Sequence, residues 1–534
     1  MSRALGASGV CLSVAALLAA CGGSRDTERA SAGAGGHEPC LTCALGGGGA
    51  AVGGDGGDGG NAGAESAGDA GADAGDAGAP ATDKDGVAIS EVSFWQTLRV
   101  PLEERGSLVP ANAPIISGKD GILRVYVEPD PKFRARALAA VLQLGTGSTV
   151  VSFESTKAIA RSSSHATFAS TFNFPLEPAQ VSAGNGYSIT VNDPESGVVL
   201  DRFPRVDRSS LDARAVSLAN RLDVVVVPYV IHGITPDVSA ATLAAFQTRV
   251  TAMYPVAQVS ITSHAPVTSS LEVGPKQGWD ALLDAVYALR ATEAPAANVF
   301  YYGLFTPQKT FDEYCVTDCT LGYSIVAEPF DVDSRGSLGL GIFPDGSNRD
   351  APDTMAHELG HALGREHAPC DVSKQNSGAF PYPGGKIGVW GFDAPHHTLL
   401  DPALYGDVMG YCSPDWISDF TYRALFERIA LVNAEVEAKS LGLARVPSAY
   451  RSVIVGADAS LRWGSRFTTS RVPHGAQRDL SLLGTNGSML ATITVTFRRL
   501  ADDRGGFLLL PESALGVSVR AIRLGNAVLA LPNR

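Results

Sequence analysis

His357-Glu358-Leu359-Gly360-His361-Ala362-Leu363-Gly364-Arg365-Glu366-His367 reads HELGHALGREH. His357 and His361 stand four apart, so on a helix they project from one face a single turn apart, where two ring nitrogens reach one metal ion. The upstream stretch Asp350-Ala351-Pro352-Asp353 supplies helix-start chemistry, an Asp near the N-cap and a Pro in the first turn. Met355, Leu359, Ala362 and Leu363 then recur at helical spacing. Gly364 offers the left-handed conformation that ends a helix, so the chain can turn and return His367 as a third ligand. Glu358 points beside the ligands, poorly placed to bind metal and well placed to take a proton from a water. Three imidazoles leave a fourth position open, as in catalytic rather than structural zinc sites. A zinc ion there lowers the pKa of its water to about 7 and polarises a carbonyl. With Glu358 as general base, these residues imply zinc-dependent hydrolysis of peptide bonds.

The motif HExxHxxGxxH, matched at His357, Glu358, His361, Gly364 and His367, resembles that of the metzincin clan of zinc metallopeptidases. That resemblance implies a methionine turn beneath the metal, for which Asp407-Val408-Met409-Gly410-Tyr411-Cys412 is the candidate. It also implies a role for Tyr411, as an extra zinc ligand or as a donor to the oxyanion. The layout of a lipoprotein with β domains around a catalytic unit is loosely similar to bacterial metalloproteases that cut mucin-type glycoproteins.

Arg3 and the apolar run Val10 to Ala20, ending Leu18-Ala19-Ala20-Cys21, read as an export signal too short to span a bilayer permanently. The ending resembles a bacterial lipobox, which implies lipidation of Cys21 and a bacterial cell-envelope location, at the outer membrane or cell surface. Residues 44–86 hold sixteen glycines, no aromatic residue, and eight acidic residues against one lysine. Such a segment cannot bury enough apolar surface to offset its ordering entropy, so a flexible tether is expected over 22–86. It carries much of the net charge of −13, which therefore says little about the site. No basic patch with interleaved aromatics suggests nucleic-acid binding.

In an exported protein, Cys315, Cys319, Cys370 and Cys412 are expected to form disulfides. A Cys370–Cys412 bridge would tie the loop carrying His367 to the methionine turn, and Cys315 with Cys319 would make a short local bridge. Cys40 and Cys43 form a CxxC without a βα unit around it.

The fold class expected is α+β: a metzincin-like zinc peptidase domain over 216–442, a twisted mixed sheet with helices. An N-terminal β-sandwich over 87–215 and a small β domain over 443–534 flank it, with 1–21 as signal peptide. Short alternating runs such as Ile122 to Val127, Val150 to Glu154, Ala166 to Phe174 and Tyr187 to Val191 carry the first. In the middle, strands are expected at Leu222 to Val230, Gln258 to Ser263, Asn298 to Phe305, Ile325 to Glu328 and Ser337 to Phe343. Helices are expected at Ser239 to Tyr254, Trp279 to Thr292 and Trp416 to Val432. The strand around Leu338 to Ile342 is expected at the cleft, where an extended peptide adds as a further strand. Trp390 and Phe392 are candidates for shaping the substrate pocket, and His396 and His397 for a second metal. The partners implied are a protein or glycoprotein substrate and a membrane reached through the lipid anchor. The competing function is a surface adhesin whose zinc domain has lost turnover; the intact Glu358 favours the enzyme.

Overall fold

The computed structural model describes residues 86–204, 209–211, 213–214, 221–370, 377–439, 446–501 and 505–532. The expected signal segment with Cys21, the Cys40/Cys43 pair and the expected tether up to residue 85 lie outside the described residues. The fold is mixed α+β, dominated by strands with few helices. Among the described residues no helix is long and apolar enough to cross a membrane.

Two antiparallel sheets come first. One orders Ser107–Leu108, Arg99–Glu104, Val87–Trp95, Gly121–Pro129 and Phe172–Leu176. The other orders Val199–Phe203, Gly186–Asn192, Arg136–Thr146 and Thr149–Ile159. Alternation drives the strand Arg136–Thr146, in which Leu138, Ala140, Leu142 and Leu144 are buried, as one apolar face of a strand requires. The expected strand from Ala166 begins later, at Phe172, because Phe168–Ser170 is a short 3₁₀ turn capped by the Thr167 side chain.

The central sheet orders Gln258–Ser263, Arg221–Val230, Val299–Phe305, Gly336–Leu340 and Gly322–Ser324. The first four are parallel, and Gly322–Ser324 runs antiparallel at the end. The two inner parallel strands Arg221–Val230 and Val299–Phe305 are near-continuous β-branched and aromatic runs, as strands covered on both faces are. Helix Ala240–Met253, capped by Ser239, and helix Trp279–Glu293 supply part of that cover.

Two expectations are corrected here. The strand expected at Ile325 to Glu328 lies earlier, at Gly322–Ser324, and Ile325 keeps only a single bridge to Leu500. The strand Gly336–Leu340 is not at the cleft edge. It sits between Val299–Phe305 and Gly322–Ser324 with Leu338 and Leu340 both 0% exposed. A short antiparallel edge strand supplies the rim instead, a placement that the apolar pattern of Leu338 to Ile342 could not reveal. The last helix of the region begins at Asp419 rather than Trp416, whose backbone pairs with Asp407.

A seven-stranded antiparallel sheet closes the chain. It orders Leu461–Thr469, Ser448–Val455, Gly506–Pro511, Met489–Arg499, Ala476–Leu483, Ala521–Leu524 and Ala527–Ala530. One contiguous apolar core joins the first two sheets to Phe246, Val250, Met355, Leu359 and Met409, and a second joins Trp279 and Val286 to Ile454 and Phe507.

Candidate metal centre

The motif helix spans Ala351–Ala362 with Pro352 in its first turn. Asp350 occupies the N-cap, but its side chain makes no capping bond; its backbone carbonyl accepts from Asp353 N at 2.9 Å instead. Met355, Ala356, Leu359 and Ala362 bury one face. That orientation turns the histidines toward the cleft.

Gly364 ends the helix at φ +81°. Its N–H donates to His361 O at 2.8 Å and Arg365 N–H to Gly360 O at 2.9 Å, the paired bonds of a left-handed helix stop. A Cβ here would lie 2.5 Å from Arg428 Nη2, and Arg428 Nη1 in turn donates to Ala327 O at 2.9 Å. Both the backbone angle and the space therefore require glycine. The reversal carries His367 back to the helix face, where Ala368 N–H donates to Met409 O at 2.9 Å and Tyr411 N–H to Cys370 O at 3.0 Å. Cys370 and Cys412 are joined, as are Cys315 and Cys319. In the loop-entropy picture the longer bridge contributes about 4 kcal/mol.

The three Nε2 atoms converge. His361 Nε2 stands 3.1 Å from His357 Nε2 and 3.2 Å from His367 Nε2. Two nitrogens in tetrahedral positions around one zinc ion lie about 3.3 Å apart. His357 Nδ1 donates to Val408 O at 2.7 Å and His361 Nδ1 to Arg365 O at 2.6 Å. These carbonyls keep the proton on Nδ1, so the Nε2 lone pairs of both rings face one point. Lone pairs this close repel unless a cation lies between them, so the donor set fits a zinc ion. Burial drives the His357 imidazole down to about 4. Burial and the neighbouring imidazoles hold His361 well below its ordinary value. Among the described residues this is the one group of three or more His, Cys, Asp or Glu side chains that could share a metal.

Glu358 is 6% exposed and lies under the edge strand. A Cβ added at Gly322 would stand 2.5 Å from both Glu358 Cγ and Oε1, so this glycine makes room for the carboxylate. Tyr411 is 56% exposed at the cleft mouth with its hydroxyl 2.9 Å from His367 Nε2. Met409 is buried, and its Sδ lies where a Cβ at Gly360 would come within 2.4 Å. The glycine of HELG, Gly360, is thus a contact for Met409. Asp407, buried, accepts from Met409 N and Ser418 N, both at 2.9 Å, and shapes that turn. Sequence reading assigned Asp407 and Gly322 no role; an Asp two residues before the methionine of a tight turn was the available signal.

A cleft of about 590 Å³ opens along His357, Glu358, Tyr411, Gly322, Thr320 and Asp415. Trp390 and Phe392 do not line it. Phe392 belongs to a cluster with Trp95, Ile122 and Tyr126, with Trp390 packed against it, so both residues pack against the first sheet. His396 pairs with Asp393 at 2.8 Å, and His397 stacks on Phe168. The two histidines therefore serve separate surface contacts.

A three-histidine centre with a buried carboxylate in an open cleft defines a metal-hydrolase type of site. Residues 334–412, which span all three histidines, match the family model described as Peptidase M66. The match supports a peptidase of the metallopeptidase type. No curated protein matches the chain. Among solved structures, a chaperone–substrate complex is similar at 12% identity and TM-score 0.22, covering 49% of this chain and 40% of that one. The chain thus spans less than half of that molecule. Metalloproteinase-II from Bacteroides fragilis is similar at 12% identity and TM-score 0.22, covering 60% of this chain and 85% of that one. A β-glucuronidase from Bacteroides uniformis is similar at 11% identity and TM-score 0.15, covering 41% and 24%.

Proposed function

We propose that the chain is a zinc-dependent endopeptidase of metzincin type that hydrolyses peptide bonds of extracellular proteins or glycoproteins. The observation that carries this reading is the convergence of the His357, His361 and His367 Nε2 atoms beside the buried Glu358. These three nitrogens would hold the ion. When bound, zinc supplies Lewis acidity toward a carbonyl and toward water. Glu358 takes the proton of the attacking water on its carboxylate and returns it to the departing amine nitrogen. The Tyr411 hydroxyl donates a hydrogen bond to the carbonyl oxygen as that atom gains charge. Cys370–Cys412 and the Ala368–Met409 bond keep His367 and Tyr411 in register.

The proposed setting is the cell envelope. Cys21 would carry the lipid, and residues 22–86 would act as a spacer between membrane and enzyme, as their composition favours. The flanking strand-rich regions would act as a β-sandwich and a small β domain around the peptidase.

Glu358→Ala tests the chemistry on a peptide and glycoprotein library, with metal content measured in parallel. The expected outcome is one zinc per chain in both proteins and a fall in hydrolysis of about 10²- to 10⁴-fold in the variant. One zinc per chain with no cleavage by either protein would reject the peptidase and favour a binding protein.

A further inference from the structure

The edge strand Gly322–Ser324 is the obvious place for an extended substrate to pair. It ends the central sheet, and Gly322 lines the cleft. In an antiparallel ladder, alternate residues turn their N–H and C=O toward the neighbour, and the residues between turn them outward. Leu340 N–H donates to Leu321 O at 2.9 Å, which fixes the phase. With Gly322 opposite Gly339 and Tyr323 opposite Leu338, Leu321 and Tyr323 face inward. Thr320, Gly322 and Ser324 therefore face out.

Two of those three outward positions are already engaged. Thr320 N–H donates to Pro275 O at 2.8 Å. On the other side, Ala501 N–H donates to Ser324 O at 2.9 Å, and Leu500 bridges Ile325. Both closures are anchored. The Cys315–Cys319 disulfide and a Tyr314 hydroxyl bond to Thr320 O at 3.0 Å hold the first. The second follows Arg498, whose guanidinium pairs with the buried Asp331 at 2.5 and 2.6 Å, and Arg499, which meets Glu366 at 3.0 Å beside His367.

We infer that the substrate backbone is gripped by this edge at Gly322 alone, and that Ala501, in the turn that follows strand Met489–Arg499 of the C-terminal sheet, determines where the grip stops. An extended peptide cannot add a full strand here. Its recognition is confined to about one backbone pair, where long strand addition would use a ladder of them. The C-terminal region is then a specificity-determining part of the cleft. This rests on the peptidase reading above.

Two measurements on the full wild-type chain test it. Residue-resolved amide hydrogen exchange should show Thr320 and Ala501 protected and Gly322 exchanging about 100-fold faster. Equal protection at all three would overturn the closed edge, whatever the chain cleaves. Next, each amide of a cleaved library peptide is N-methylated in turn. A loss of about tenfold or more in kcat/KM from edge pairing is expected at one position, and Ala501→Pro, which deletes the capping donor, should create a second sensitive position two residues away. Sensitivity at two such positions in the wild type would overturn the single grip. Failure to cleave any parent peptide would instead reject the peptidase reading, with the exchange pattern still deciding the edge.

Discussion

Residues 87–203 and residues 448–530 both pack strands against the helix-bearing centre, yet by different chemistry. The earlier region docks through an apolar core threaded by backbone-directed bonds. Lys119 Nζ donates to Thr251 O at 2.8 Å and Tyr254 O at 3.0 Å, Thr97 Oγ1 to Ala252 O at 2.9 Å, and Trp416 Nε1 to Thr97 O at 2.8 Å. From there Tyr254 OH reaches Ala356 O of the motif helix at 2.6 Å. The later region also shares an apolar core with the centre, through Ile454 and Phe507 against Trp279 and Val286, and adds buried charge to it: Arg498 on Asp331, Arg471 Nη1 on Asp333 at 2.7 Å, and Ser465 N–H on Asp284 at 2.6 Å. One region braces the motif helix from behind. The other reaches the edge strand at the cleft rim. Charge suits the second task, because directional ion pairs fix register where an apolar contact slides.

Breaking the charged contact should give the largest effect. Asp331→Ala leaves the Arg498 guanidinium buried without its carboxylate, and the expected loss is about 3–5 kcal/mol by denaturant unfolding. Asp331→Leu combined with Arg498→Met should recover most of that stability while loosening the Leu500–Ala501 contact with the edge strand. A single-mutant loss below about 1 kcal/mol would show that the pair does not hold this interface.

The earlier region has its own charge network, joining strands Val87–Trp95 and Arg99–Glu104 to the loop that carries His165, and acid should reveal it. Burial pushes Glu91 up, but hydrogen bonds from His165 and Arg99 outweigh burial and bring its carboxyl from 4.5 down to about 2. A depressed carboxylate stabilises the fold fully above its unfolded pKa and loses that contribution as pH falls through the folded value. The window therefore runs from about pH 4.5 to 2, and the effect is at most about 3 kcal/mol. Glu91→Gln should flatten the acid limb of stability against pH in this window. An unchanged limb would assign the acid dependence elsewhere, with Asp333, also held below its ordinary value, as the next carboxylate to replace.

Much of the centre was legible because local spacing carried it. The 357–361 interval put two histidines on one face, Gly364 marked the reversal, and Ser239 and Gln258 bounded a helix and a strand whose side chains alternate or recur as their periods demand. The edge strand was not legible. Gly322-Tyr323-Ser324 has no apolar run, and its place depends on pairing with Gly339 to Ser337, a contact set by sheet order. For the same reason Leu338 and Leu340 suggested a cleft strand when they fill the sheet interior. The charged docking was equally hidden: Asp331 and Arg498 are far apart in sequence, and nothing local distinguishes them from surface residues. Trp390 and Phe392 misled because aromatic residues near a site read alike whether they face a cleft or a neighbouring sheet.

The smallest effect is expected from the apolar side of the comparison. Lys119 is buried, and desolvation lowers its ammonium to about 7, so the side chain works there mainly as a donor to the carbonyls that end helix Ala240–Met253. Lys119→Met keeps the apolar stem and removes the donors. Tyr254 O still accepts from Val256 N–H at 2.8 Å, which leaves Thr251 O as the main loss. A fully buried carbonyl without a donor costs about 1–3 kcal/mol, and the part-buried Thr251 O should fall at the low end of that range. Because Tyr254 stays anchored by packing and by Ala356, metal stoichiometry should be unchanged and only the unfolding midpoint should move. A loss of metal binding in Lys119→Met would show that the first region controls the motif helix through this one side chain. It would then be a positioning element as direct as the charged region at the rim.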